Sequence, residues 1–217
     1  MLELFGHPFS SYTWKALIAL YENATPFDYR NVDPAFPDNG AEFARLSPIG
    51  KFPLLVEGET VVAEATAIID YLAVHHPGPV ALIPDDRAAA VEVRMLDRIF
   101  DNYVMTPVQA IVGDALRPED RRDAYGVAQA RGMLDRSYAW LDARMAGRDW
   151  AAGDFGLADI AAAPSLFYAD WAHPIPDALG NLKAYRARLL AHPSIVRTVD
   201  EARPYRAYFP LGAPDRD

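Results

Sequence analysis

The sequence predicts a small α/β layer domain in the first third of the chain and an all-helical domain in the rest. Three observations carry this. Short strand-like and helix-like segments alternate up to residue 76, a proline-rich stretch HPGPVALIPDD follows at 76–86, and beyond it only long helical periodicities occur. The 217 residues, 51% apolar and 24% charged, suffice for one large or two small packed domains.

LELF at 2–5 reads as a strand ended by Gly6 and Pro8. In SSYTWKALIALYEN, Trp14, Leu17, Ile18 and Tyr21 fall at helical spacing, with Ser10 or Ser11 as the N-cap. FDYRNVD at 27–33 is a second strand, and a short helix over 40–46 is stopped by Ser47-Pro48, because the residue before proline avoids the helical region. PLLVEGETVVA holds two apolar runs around Glu-Gly, a hairpin with tight-turn chemistry. EATAIIDYLAVHH at 64–76 then puts Ile68, Ile69, Leu72 and Ala73 on one helical face. After the connector, helical patterns cover roughly 87–115, 122–146, 157–172, 179–191 and 193–202, punctuated by Pro118, Gly147, Pro174, Gly180 and Pro193. The expected division is 1–77, a linker at 78–86, and 87–217.

Composition excludes several functions. The net charge of −9 argues against nucleic acid, which needs clustered Lys and Arg. Residues 1–77 carry four Lys/Arg against ten Asp/Glu, and residues 78–217 carry seventeen against twenty. No apolar run approaches the roughly 18–20 residues that span a bilayer. MLELFGHPF lacks a basic flank followed by an apolar block, so no secretory leader is expected. The absence of cysteine removes disulfides, thiolate metal sites and a cysteine nucleophile, and fits a cytoplasmic protein. His7, His75, His76, His173 and His192 are scattered without metal-ligand spacing, so no metal is expected.

One stretch is locally odd. In IGKFPLL, Pro53 sits at the mouth of an apolar strand that it cannot join by a ladder hydrogen bond. A cis Phe52–Pro53 bond would turn the chain sharply and leave the Phe52 backbone at a sheet edge, where an extended peptide can pair with it.

The alternation of elements, SPIGKFPLL, VVAEATAIIDYL and FSSYTWKALIAL together resemble the cytosolic glutathione transferases over nearly the whole chain. The resemblance implies a thioredoxin-like N-terminal domain, with a four-stranded mixed sheet and three helices, and an all-α C-terminal helical bundle. SPIGKFPLL is similar to the family's Asn-Pro-x-Gly-x-Val-Pro-x-Leu element, which makes Phe52 and Pro53 the anchor for the cysteinyl part of glutathione and Lys51 a polar neighbour of the tripeptide. VVAEATAIIDYL resembles Glu-Ser-x-Ala-Ile-x-x-Tyr-Leu, which implies that Glu64 pairs with the γ-glutamyl ammonium. Ala65 stands where the family has Ser or Thr. It keeps the backbone N–H for the γ-glutamyl carboxylate and loses the hydroxyl, a hydrogen bond to a charged group worth about 1.5–3 kcal/mol unless Thr66 or water replaces it.

FSSYTWKALIAL is similar to the Ser-Ser-Cys-Ser-Trp-Arg-x-x-Ile-Ala-Leu opening of the zeta class. That implies Ser10, or alternatively Ser11, as the catalytic hydroxyl that stabilises the glutathione thiolate, the true nucleophile. Tyr12 replaces the zeta cysteine, which weakens the expectation of that class's isomerase reaction. AGDFGLADI resembles the family's capping element, with Gly156 in the hydroxyl position and Asp159 at N3. The family's electrophile pocket implies His7, Pro8, Phe9, Tyr103 and Met105 as wall residues. It also implies a two-fold homodimer, for which Arg94, Arg98 and Asp101 are candidate interface residues.

The expected activity is thus glutathione conjugation to a small hydrophobic electrophile, with a glutathione-dependent isomerase or dehalogenase, or a non-catalytic stress or binding protein of the same fold, as alternatives.

Overall fold

The structure is a computed structural model and describes residues 1–47 and 49–217. Its first part runs β1 (Leu2–Gly6), α1 (Ser11–Glu22), β2 (Asp28–Asn31), α2 (Pro37–Leu46), β3 (Leu54–Glu57), β4 (Thr60–Ala63) and α3 (Ala65–His75). The strands form one sheet ordered β2-β1-β3-β4, with β1 and β2 parallel and the other pairs antiparallel. Period-two alternation divides the apolar residues between two faces. Leu2, Leu4 and Leu55 enter the main core with α1 and α3, while Phe5, Leu54 and Val56 pack with Phe43 of α2. Leu4 pairs with Leu55 and Phe5 with Leu54, so both faces stay in register. This is the mixed thioredoxin-like layer the sequence predicts.

Two boundaries differ from expectation. Helix α2 begins at Pro37 rather than residue 40, because proline is tolerated in a first turn whose N–H groups have no helical partner. The hairpin loop is Gly58-Glu59 rather than Glu57-Gly58: Glu57 pairs with Thr60, and Gly58 takes the positive φ of +59° that the tight turn needs. The Pro48 half of the predicted helix stop lies outside the described residues.

Residues 76–86 contain neither helix nor strand. Then follow α4 (Arg87–Ile99), a π-helical segment (Phe100–Met105), α5 (Thr106–Ala115), a short 3₁₀ turn (Glu119–Arg121), α6 (Ala124–Met145), α7 (Leu157–Ala172), α8 (Gly180–Leu190), α9 (Pro193–Ala202) and a 3₁₀ segment (Arg203–Tyr208). The periodicity over 87–115 therefore does not make one continuous α-helix. Pro107 has no N–H for the Tyr103 carbonyl four residues back, and the Ser137 hydroxyl of α6 donates to that carbonyl instead, at 2.9 Å. The wider turn relieves the clash that proline would cause inside an α-helix.

Helix α7 is buried from Leu157 to Trp171 and forms the centre of the helical part. At its start the Asp159 carboxylate accepts from Gly156 N at 3.1 Å, Ala151 N at 2.9 Å and the Tyr185 hydroxyl at 2.6 Å. Gly156 is required by the connector: a Cβ there would lie 2.7 Å from the Leu82 carbonyl oxygen, which accepts from Leu157 N at 2.8 Å. The hydroxyl side of the capping box gives way to that contact.

Helix α1 joins the two parts. Trp14 is fully buried between the rings of Phe167 and Tyr168 of α7, with centroids at 4.9 and 5.3 Å, and its Nε1 donates to Pro8 O.

Candidate active site

A cleft of about 410 Å³ opens between the β3 mouth, the start of α3, and α4 with the π-helical segment. On one wall stand Lys51, Phe52 and Pro53. The Phe52–Pro53 peptide is cis, as expected, and no hydrogen bond ties the Phe52 N–H or C=O to another described residue. Glu64 and Ala65 form the floor. Glu64 is the N-cap of α3 with φ +72° and ψ +123°, a sparsely populated conformation for a residue with a Cβ. Such outliers persist where the surrounding structure enforces them and gather at ligand sites. The first α3 N–H groups have no helical carbonyl to bond, so they present a positive end to the cleft. Four of the residues singled out from sequence, Lys51, Phe52, Pro53 and Glu64, therefore meet in one place, with Ala65 beside them.

Ser10 caps α1, its Oγ accepting from Thr13 N at 3.3 Å. That bond uses an oxygen lone pair and leaves the hydroxyl proton to donate elsewhere. Ser11 is the first residue of α1. Neither lines the cleft as it stands; the α1 side chain that does is Tyr12. Burial pushes the Tyr12 phenol up to about 12, and Asp101 adds to the shift. Tyr12 is thus a neutral donor at ordinary pH.

Behind this wall lies a buried charge cluster. Lys15 of α1, 1% exposed, donates to Asp97 at 2.6 Å, to Asp101 at 2.8 Å and to the Thr66 hydroxyl at 3.1 Å. Thr66 in turn donates to Asp97 at 3.0 Å, so its hydroxyl is engaged within the cluster. Arg98 closes the group, with Nη2 at 2.5 Å from Asp97, 2.7 Å from Asp101 and 2.6 Å from Thr66 Oγ1. Burial pushes the Asp101 carboxyl up, opposed by Lys15.

The residues expected to wall an electrophile pocket, His7, Pro8, Phe9, Tyr103 and Met105, lie outside this cleft. His7 contacts Asp33 at 3.3 Å and the ring of Tyr205 at 4.7 Å. Pro8 is buried, with its carbonyl bonded to Trp14. Phe9 packs edge-on against Tyr168, whose hydroxyl donates to the Phe9 carbonyl at 2.9 Å. Met105 is 2% exposed in the core, and Tyr103 is half-exposed. Of the three charged residues expected at an interface, Arg98 and Asp101 belong to the cluster, while Arg94 pairs with Asp70 at 2.9 Å across exposed surface. Sequence reasoning missed Tyr12, Asn102 and Gln109 as cleft residues and gave Arg98 and Asp101 another place. Among the described residues no group of three or more His, Asp or Glu gathers as a metal site, and no helix is long and apolar enough to cross a membrane.

Comparison with known proteins matches this arrangement. The glutathione S-transferase N-terminal domain model covers residues 4–80 and the glutathione S-transferase C-terminal domain model covers 123–188. Glutathione S-transferase 1 of Dianthus caryophyllus is 29% identical over 172 residues, 76% of each chain. A probable maleylacetoacetate isomerase of Vibrio cholerae is 26% identical over 217 residues, covering 94% of this chain and 97% of that one. Among solved structures, a glutathione S-transferase from Methylobacillus flagellatus with glutathione bound superposes with a TM-score of 0.79 at 26% identity, over 91% of this chain and 98% of that one. The chain belongs to the glutathione S-transferase family.

Proposed function

We propose that the protein is a serine-type glutathione transferase that adds glutathione to a small hydrophobic electrophile. The observation that carries this reading is the meeting of the unbonded Phe52 backbone, Glu64 and the α3 N-terminus in one cleft. The cysteinyl unit pairs with Phe52 as an added strand, Pro53 shapes that edge, and Lys51 lies alongside the tripeptide. Glu64 takes the γ-glutamyl ammonium, and the first α3 N–H groups, from Ala65 and Thr66, face its carboxylate.

Ser10, its oxygen already engaged by Thr13 N, turns its proton to the glutathione sulfur; Ser11 is the alternative donor. A hydrogen bond to the thiolate at a positive helix end favours the charged form and lowers the thiol pKa. The thiol proton leaves to solvent. The sulfur lone pair then forms a C–S bond with the electrophilic carbon while a leaving group departs or a conjugated π bond accepts the electrons. No metal takes part in this scheme.

Residues 1–77 form the glutathione domain, 78–86 the linker and 87–217 the domain that presents the electrophile. Exposed Val74, Val91 and Met95 on α3 and α4 give an apolar surface for a homodimer, and the cytoplasm is the proposed compartment. A glutathione-dependent isomerase of the zeta type is the second reading, favoured by the Vibrio cholerae relative that matches along 94% of this chain.

The test is calorimetric titration with glutathione, together with turnover of a chromogenic aryl halide and of a cis-configured dienoic acid, for wild type, Ser10→Ala and Ser11→Ala. Conjugation lost with Ser10→Ala while binding persists is the expected result. Absence of binding at millimolar glutathione refutes the reading. Isomerisation without conjugation selects the second reading, and binding without either activity points to a non-catalytic member.

A further inference from the structure

We propose that Arg98 is a specificity-determining residue that holds the γ-glutamyl α-carboxylate of glutathione, in place of the side-chain hydroxyl that Ala65 lacks. This rests on the glutathione reading of the cleft and deepens it.

A methyl group at residue 65 leaves backbone N–H groups as the only donors from the head of α3. The next hydroxyl, Thr66, is already spent: it accepts from Lys15 and Arg98 and donates to Asp97. Two cationic side chains line the cleft, Lys51 and Arg98. Lys51 adjoins Phe52, beside the middle of the tripeptide. Arg98 stands on the α4 wall that faces Ala65, tied to the α3 head through Thr66 at 2.6 Å.

The fork of Arg98 is fixed on one side only. Its Nε and Nη2 are bonded to Asp97, and Nη2 also to Asp101 and Thr66. Nη1 has no hydrogen-bond partner among the described residues, and the side chain is 50% exposed. Two buried carboxylates thus orient the guanidinium, and Lys15 behind them balances their charge, so the cluster is neutral as a whole. An oriented, partly bonded guanidinium recognises a carboxylate better than a free lysine does. Of the charged residues lining the cleft, Lys51, Glu64, Arg98 and Asp101, Asp101 is already paired with Lys15 and Arg98, which leaves Glu64 and Arg98 beside the α3 head for a group carrying an ammonium and a carboxylate.

The experiment compares glutathione with 4-aminobutyryl-cysteinyl-glycine, which keeps the ammonium, thiol and glycyl carboxylate and lacks only the carboxylate in question. Calorimetry on wild type is expected to give about tenfold or weaker binding of the analogue. In Arg98→Gln, glutathione should lose several-fold in affinity, narrowing its lead over the analogue to the share given by the α3 N–H groups, while the analogue is unchanged, and Lys51→Ala should leave the ratio of the two ligands as in wild type. An Arg98→Gln variant that keeps the wild-type ratio overturns the proposal and leaves the glutathione reading standing; wild type that binds no glutathione overturns both.

Ala65→Ser provides a second measurement that does not disturb the cluster. With the carboxylate already held by Arg98, the added hydroxyl should change glutathione affinity by no more than about twofold, against the roughly tenfold gain or more expected if the site simply lacks a donor. A tenfold gain overturns the proposal.

Discussion

Trp14 and Lys15 are consecutive residues, both fully buried, yet they attach α1 to the helical part by opposite means. Trp14 enters an aromatic seam with Phe167 and Tyr168, which continues through Trp171 to Phe209. Lys15 enters a seam of charge with Asp97 and Asp101. Apolar packing is non-directional, and loss of part of a ring costs roughly in proportion to what is removed. A buried ion cluster is held by complete pairing, and removing one member strands the others away from water. The aromatic seam therefore fixes where the two parts dock, whereas the charged seam makes that docking conditional on every partner and continues into the cleft wall through Arg98.

The largest expected effect breaks the charged seam. Lys15→Met keeps the length and apolar stem but leaves Asp97 and Asp101 short of a buried cation, and should lower unfolding free energy by about 3–5 kcal/mol in urea titration. Trp14→Phe should cost roughly 2 kcal/mol, from smaller packing and the lost bond to the Pro8 carbonyl. If Trp14→Phe proves the more damaging of the two, the contrast between the seams is wrong. Arg94→Ala removes an ion pair that also joins the two parts, but at 50% and 43% exposure; thermal unfolding should register about 0–1 kcal/mol. A loss comparable to that of Lys15→Met would show that burial is not what sets the cost.

The smallest effect concerns pH. The folded Tyr12 phenol lies above its unfolded value, so the stability linked to it is complete below about pH 10 and is lost as pH rises toward about 12. Tyr12→Phe should make stability fall less steeply between pH 9 and 11, in paired urea titrations. An unchanged slope would place the hydroxyl in water rather than half-buried in the cleft wall.

Most of the fold was legible because its signals are local. Strand alternation, helical spacing, the proline-rich connector and the Pro53 anomaly each lie within a dozen residues. Gly58 and Pro107 moved boundaries through backbone constraints that a pattern of apolar residues does not report. The cleft was half legible. Lys51, Phe52, Pro53 and Glu64 sit in two short motifs, while Tyr12, Arg98, Asn102 and Gln109 come together only when α1 and the α4–α5 region fold over them. Asp97 and Asp101, four apart with Arg98 between, look like a solvated helix face until Lys15 of α1 is placed against them. His7, Pro8 and Phe9 lie outside this cleft, and Trp14 and Tyr168 hold their loop against the core by two hydrogen bonds to its carbonyls.

The contact between the Leu82 carbonyl and the start of α7 has a practical corollary for recombination of relatives. A segment that looks like a disposable tether is clasped from beyond: it supplies the acceptor for Leu157 and forbids a side chain at residue 156. A chimera that exchanges the first 86 residues would have to inherit a carbonyl at this spot facing a glycine, and Gly156→Ala in the native chain is the simplest imitation of a mismatched graft. Limited proteolysis should find 78–86 as slow to cut as helix in the parent, and open to cleavage in that variant. Rapid cleavage of the parent there would mean that the clasp does not hold and that the exchange is free.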